Sequence, residues 1–227
     1  MKLTYWSHSC FDVETGSHRL LIDPFLSGNR LAPLKPEDVE CDFILLSHGH
    51  SDHVGDAVQI ARRTGALIIS PVEVAGFLGK QGVATHGMNI GGAHEFPFGR
   101  VKMTIAHHSS SFTQDGSVVY LGDPAGLLIS AEGKTLYHAG DTGLFLDMKL
   151  IGDLHKIDVA MLPIGDNYTM GIDDAVLAVE FLRPQLAIPM HYNTFDVINA
   201  DPGLFVQKVE LTGACAKALK AGEGIEV

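Results

Sequence analysis

Phe43-Ile44-Leu45-Leu46-Ser47-His48-Gly49-His50-Ser51-Asp52-His53-Val54-Gly55 runs from four apolar residues directly into four potential metal ligands. The apolar run suits a short buried strand, and the segment led by Gly55 has helical spacing. The ligand-rich piece therefore sits at a strand-to-helix junction. Capping of a helix accounts for Asp52 there, but for none of the three histidines. Burying imidazole and carboxylate groups is costly unless something pairs them, and a metal ion is the natural partner. His48 and His50, two apart on extended backbone, can converge on one ion. Asp52 and His53, where the backbone turns into a helix, can face a second.

Outward from this junction, β-type runs recur at 3–6, 10–13, 19–22, 43–46, 67–70, 101–105, 118–121, 127–130, 135–138, 159–162 and 186–190. Helical spacing is found at 56–63, 73–80, 145–154, 173–182 and 204–211. Early and middle strands cluster as hairpins, and later ones alternate with helices. That mixture predicts an α/β fold of two mixed sheets packed face to face with helices outside, a four-layer αββα sandwich. Gly/Pro punctuation around 89–92 and 96–99 falls near the midpoint and could divide two similar halves. No linker separates independent domains, so residues 1–227 read as one domain.

Composition sets the limits. Of 227 residues, 46% are hydrophobic and 19% charged, a globular balance with length enough for a large core. The formal net charge is −11, and no dense Lys/Arg run occurs, which disfavours nucleic acid as a partner. With no apolar run of about 18 residues and no apolar signal region, the expectation is no membrane association and a cytoplasmic location. Cys10, Cys41 and Cys215 are too scattered for a disulfide framework or a thiolate zinc site, and read as small buried apolar residues.

The motif His48-x-His50-x-Asp52-His53 after an apolar strand resembles the signature of the metallo-β-lactamase superfamily. Further stretches resemble a narrower branch of metal-dependent hydrolases related to ascorbate-6-phosphate lactonase. These are Ser7-His8-Ser9-Cys10-Phe11, Leu21-Ile22-Asp23-Pro24-Phe25, Met88-Asn89-Ile90-Gly91-Gly92, His108-Ser109-Ser110, Ala139-Gly140-Asp141-Thr142 and Pro189-Met190-His191-Tyr192. The resemblance implies the metallo-β-lactamase fold and two divalent metal ions. His48, His50 and His108 would bind the first, Asp52, His53 and His191 the second, and Asp141 would bridge them. Asp23 would orient a ligand histidine through its ring N–H. His108, Asp141 and His191 each follow a predicted strand, where site residues are often carried.

Taken alone, these residues have plainer readings. Asp141-Thr142-Gly143 fits an N-cap and turn, His191 a satisfied core histidine, and Asp23-Pro24 a turn start. The readings of Asp141 and His191 as ligands gain weight because a two-metal site begun by His48–His53 needs donors from elsewhere. His8, Ser109 and Asn193 are candidate substrate contacts, or equally solvated loop residues. His86, just before the Met88–Gly92 stretch, is a further candidate. At the pair His107-His108, strand alternation would put His107 on the apolar face, whereas the resemblance selects His108 as the ligand.

Two ions about 3.5–4 Å apart would share a water and lower its pKa to about 7. The resulting metal-bridging hydroxide would attack an ester-like bond, a lactone or phosphodiester of a small molecule, with Asp52 as the catalytic group that holds it and passes on a proton. All-N/O ligation fits zinc, and manganese, iron or nickel suit the same donors. The rival enzyme reading is a metal-dependent ribonuclease, which the acidic charge opposes. The rival from another class is a non-catalytic metal-dependent binding or sensor protein. The sequence leaves open the oligomeric state, a homo-oligomer included.

Overall fold

The computed structural model describes residues 1–227. The chain begins with an antiparallel meander of β1 (Lys2–Ser7), β2 (Cys10–Thr15) and β3 (His18–Ile22), then adds β4 (Phe43–Leu45), β5 (Leu67–Pro71) and β6 (Thr85–Met88) in parallel. Between these strands lie α1 (Ser51–Val54), α2 (Ala57–Thr64) and α3 (Val72–Gly79). The second half repeats the plan. β7 (Ala93–Phe96), β8 (Gly99–Ile105), β11 (Ala125–Ala131) and β12 (Lys134–His138) pair antiparallel, and β13 (Val159–Pro163) and β14 (Leu186–Met190) follow in parallel. A separate hairpin, β9 (Ser111–Gln114) with β10 (Ser117–Tyr120), lies outside both sheets. Helices α4 (Asp147–Leu154), α5 (Ile172–Leu182) and α6 (Pro202–Leu211) belong to the second half, and β15 (Gly224–Glu226) returns to the edge of β1.

The sheets have seven and six strands, in the orders β15-β1-β2-β3-β4-β5-β6 and β14-β13-β12-β11-β8-β7. Side-chain alternation explains why they stack. Along β3, β4 and β5, Leu20, Ile22, Phe43, Leu45 and Ile69 enter the large core shared with the second sheet. Their neighbours Leu21, Ile44 and Ile68 enter a smaller cluster with Ile60 and Ala61 of α2 and Leu78 of α3. A strand buried on both faces reads as continuous apolar sequence, which is what 43–46 does. The four-layer αββα arrangement expected from the sequence is observed. The punctuation at 89–92 is the crossing between sheets: β6 edges the first, β7 the second, and Gly91 takes a φ of +84° in the turn. No helix is long and apolar enough to cross a membrane.

Two expectations need correction. The segment 118–121 is a strand, but in the outlying hairpin, where Val118 and Tyr120 are exposed, rather than in a sandwich layer. Cys10 and Cys41 are buried as expected, but Cys215 is exposed. It lies beyond α6 in a segment held by its backbone, with the Cys215 carbonyl accepting from Ala187 N at 2.9 Å.

One rim of the sandwich gathers the ends of β3, β4, β8, β12 and β14 and the β1–β2 turn. The carboxyl ends of strands are where open α/β sheets place ligands. The backbone is strained there: His8, Asp23, His191 and Asn193 have φ of +58°, +43°, +55° and +61°. Non-glycine residues in this region cost roughly 1–3 kcal/mol each and cluster at functional sites.

Candidate metal centre

Seven candidate ligands reach the rim from four places. His48, His50, Asp52 and His53 come from the β4–α1 junction, His108 from beyond β8, Asp141 from beyond β12 and His191 from beyond β14. Their donor atoms form three overlapping groups: His48, His50 and His108; His48, His53 and Asp141; and Asp52, His53 and His191 together with His8. Within each group all atoms lie within 4.8 Å of one another. Local packing enforces these positions. Gly55 has a φ of +43°, and a Cβ there would collide with the Pro24 carbonyl, so α1 can press against the 24–27 loop. Asp56 then clamps that loop, accepting from Leu26 N at 3.1 Å and Ser27 N at 2.7 Å. Gly140, with φ +63°, lets the chain pass Ala125 closely just before Asp141.

Asp23 is fully buried and organises the histidines. Its Oδ1 accepts from Ser47 N at 2.8 Å, and its Oδ2 accepts from Ser47 Oγ at 2.6 Å and from His53 Nδ1 at 2.8 Å. With the Ser47 hydroxyl proton directed at Asp23, Ser47 Oγ is left to accept from His48 Nδ1 at 2.9 Å. One carboxylate thus holds the Nδ1–H of both rings in place, which leaves Nε2 of His48 and of His53 as the atom that can face a cation. His48 Nε2 faces His50 Nδ1 at 2.9 Å, and His53 Nε2 faces Asp141 Oδ1 at 3.3 Å. His191 Nε2 lies 3.0 Å from Asp141 Oδ2, and His108 Nε2 lies 3.6 Å from the same oxygen.

The His48–His50 contact is a hydrogen bond, whereas the His–Asp contacts fall within ion-pair reach and leave several atoms unsatisfied. His53 Nε2, Asp141 Oδ1 and both ring nitrogens of His191 are buried with no aligned hydrogen-bond partner. Buried polar atoms are nearly always paired, so unsatisfied atoms of His53, Asp141 and His191 gathered beside one another suit a metal ion as their partner. The protonation equilibria follow the same geometry. Burial pushes His48, His50 and His108 down, towards the neutral, ligating form. Burial opposes charge on His53 too, but Asp141 and Asp23 outweigh it and raise its pKa well above the ordinary value. Burial would raise the Asp141 and Asp52 carboxyls. His191 and His53 outweigh it for Asp141, and the hydrogen bond from His8 for Asp52, holding both below the usual carboxylate range.

Above the cluster opens a cleft of about 640 Å³. His50, Asp52, His108, Asp141 and His191 form its polar part, with Ser51 and Ser109. Phe25, Tyr168, Phe195 and Val197 form an apolar wall.

The family model described as a β-lactamase superfamily domain matches residues 18–192, which include Asp23 and all seven candidate ligands. The chain belongs to the metallo-β-lactamase superfamily. It is 57% identical over 228 residues to a UPF0173 metal-dependent hydrolase of Geobacillus sp. (strain WCH70), covering 100% of both chains. It is 54% identical to a UPF0173 metal-dependent hydrolase of Bacillus licheniformis, covering 100% of this chain and 99% of the relative. Among solved structures it is similar to Igni18, a metallo hydrolase from Ignicoccus hospitalis, with a TM-score of 0.91 and 42% identity over 100% of this chain and 98% of that one. This metallo-β-lactamase superfamily member is accordingly a metal-dependent hydrolase.

In this superfamily member the sequence-predicted residues fall into three sets. The seven candidate ligands are brought together, and Asp23 contacts His53 and Ser47. His108 joins the cluster and His107 does not. Thr142 Oγ1 accepts from His107 N at 2.9 Å and the His107 carbonyl accepts from Gly143 N at 3.1 Å, which breaks the strand's alternation; the exposed His107 ring packs on Phe145. Ser109 lines the cleft, its Oγ 3.3 Å from His50 Nε2.

Two candidate substrate contacts are placed differently from the expectation. His8 is fully buried, with Nε2 3.2 Å from Asp52 Oδ2 and Nδ1 2.6 Å from Thr194 Oγ1. It holds Asp52 rather than facing the cleft. Asn193 does not line the cleft either, because its side-chain oxygen accepts from Ala200 N at 2.9 Å and closes a loop. His86 packs at a tilt on His94 and edge-on to Phe96, and belongs to none of the ligand groups. Sequence reasoning missed Ser47 and the apolar wall. Ser47 had a visible signal, a hydroxyl directly before the histidine run. Tyr168, Phe195 and Val197 had none, since they meet Phe25 only after folding.

Proposed function

We propose that this hydrolase holds two divalent ions, His48, His50 and His108 binding one, Asp52, His53 and His191 the other, and Asp141 both. Zinc suits these donors, as do manganese, iron and nickel. The reaction is hydrolysis of an ester-like bond, a lactone or phosphodiester, in a small molecule. The observation that carries this reading is the gathering of seven His and Asp donors, several of them buried and without a hydrogen-bond partner, beneath an open cleft.

When bound, the ions supply a hydroxide at neutral pH and polarise the oxygen that gathers charge. The side chains supply the rest. Asp52 is partly exposed at the cleft and fixed by His8, so its Oδ2 can take a proton from the attacking water and return it to the leaving group. His8 in turn is fixed by Thr194, which keeps Asp52 in one orientation. Asp23 and Ser47 keep His48 and His53 in the ligating tautomer. No lysine or arginine lines the cleft, which favours small substrates over RNA.

The test is a panel of bis-p-nitrophenyl phosphate, several lactones and a precursor tRNA, assayed with metal-loaded and chelator-treated protein. Metal-dependent turnover of a small substrate, with weak or no RNA cleavage, is expected. Efficient RNA cleavage with silence on the small substrates overturns the ranking. Metal binding with no turnover of any probe favours a binding or sensor role.

A further inference from the structure

Metal ligation and water activation need only the polar part of the cleft; the apolar wall asks for a separate reason. Phe25 and Phe195 are half-buried and stack at a centroid distance of 5.9 Å and an interplanar angle of 27°. Tyr168 and Val197 are 55% and 56% exposed. Large apolar side chains gathered, partly solvated, at the mouth of a polar site are characteristic of ligand contact rather than of core packing. The wall is also held in place. Phe25 lies two residues from Asp23, in the loop that Asp56 clamps, so the turn that orients His53 also positions Phe25. Val197 sits in a single 3-10 turn, Asp196–Ile198, next to Phe195.

The cleft's charges constrain what it admits. Its ionisable lining is Asp52, Asp141 and the histidines of the metal cluster, with no Lys or Arg. Arg30, on the loop that follows Phe25, does not line the cleft; it donates to Asp196 Oδ1 at 3.3 Å and to the Asn193 carbonyl at 3.0 Å, on the segment that carries Phe195 and Val197. A phosphate or carboxylate remote from the reacting bond would meet no side-chain cation, only aromatic rings and the neutral hydroxyls of Ser51, Ser109 and Tyr168, which return less than a charged partner does.

We infer that the substrate is a lactone or carboxylic ester, uncharged outside the scissile group, whose apolar substituent packs on Phe25, Tyr168, Phe195 and Val197. The inference rests on the hydrolase reading above and narrows its substrate class. It places specificity in the wall and chemistry in the metal cluster, so substituent size governs kcat/KM.

The experiment measures kcat/KM of the metal-loaded enzyme on γ-lactones from γ-butyrolactone to γ-decalactone, on bis-p-nitrophenyl phosphate, and on a γ-lactone carrying a side-chain phosphate monoester. Burial of each CH₂ raises kcat/KM by about two- to fourfold until the wall is covered, and the phosphorylated lactone falls below its uncharged counterpart. Phe195→Ala and Tyr168→Ala flatten the chain-length slope, and Phe195→Leu restores part of it. Turnover with a flat slope, or preference for the phosphorylated lactone, overturns the inference and leaves the hydrolase reading intact. Turnover of the phosphodiester alone also overturns the inference only. No turnover of any probe by protein of verified metal content overturns both.

Discussion

Replacing Asp23 by Asn changes one atom's chemistry and leaves the side chain's shape. The new Oδ1 can still accept from Ser47 N, but the amide NH₂ that replaces Oδ2 cannot accept from His53 Nδ1, now 2.8 Å away. His53 relieves this clash of donors by moving its proton to Nε2, the atom that faces Asp141 Oδ1. A protonated Nε2 has no lone pair for a metal. The Ser47 hydroxyl loses its carboxylate partner as well, so the tautomer of His48 is no longer enforced. Loss of a partner that orients a ligand histidine typically costs 10–100-fold in metal affinity, or about 1.4–2.8 kcal/mol. The fold itself should lose less, roughly 1–2 kcal/mol, because a hydrogen-bonding amide still fills the site. Asp23→Ala, which leaves Ser47 N unpaired in a fully buried place, should lose about 3 kcal/mol or more. Competition with a chromogenic chelator measures affinity and thermal melting measures stability. If Asp23→Asn binds its full metal complement with wild-type affinity, the tautomer argument fails.

Three other perturbations probe neighbouring parts. His108→Ala should lose metal and collapse turnover, whereas His107→Ala, outside the cluster and packed on Phe145, should keep its metal stoichiometry; the reverse result would mean the loop register is wrong. Gly55→Ala should destabilise the protein by about 2–3 kcal/mol, read by denaturant melts, because its positive φ and the Pro24 carbonyl both reject a Cβ. Metal-free protein should lose stability on acidification from pH 7 to 5. Burial and then the charge of His191 lower His8 from 6.5 to about 4, so between these values the unfolded chain binds a proton the folded one refuses. Stability from this source is present above pH 6.5 and lost towards pH 4, by at most about 3 kcal/mol. His8→Gln should shrink the fall in melting temperature, and an unchanged fall would exonerate His8.

Much of this was legible in the sequence because strong local patterns and site chemistry coincide. The continuous apolar run at 43–46 marks a strand buried on both faces, and four donors crowded behind it have no packing explanation. His108, Asp141 and His191 sit just beyond strands whose composition is plainly β-type. What escaped is what depends on tertiary context. β6 and β7 carry Thr85, His86, His94 and Glu95, exposed or half-buried edge residues without an alternating apolar pattern. β15 is three residues long and forms only by pairing with β1. His8 and Asn193 are candidate substrate contacts in the sequence, which does not say which way a side chain faces. The folded turns direct both into the protein. His107 illustrates the converse: alternation favoured it, and the grip of Thr142 and Gly143 on its backbone decided for His108.

Seven side chains are proposed to hold a pair of ions. Elemental analysis of protein purified without chelator, normalised to chain concentration and repeated after incubation with zinc or manganese, tests this most directly. Two ions per chain are expected, with fewer when His48, Asp141 or His191 is replaced by Ala. A single ion per chain that persists after both metals are supplied would contradict it.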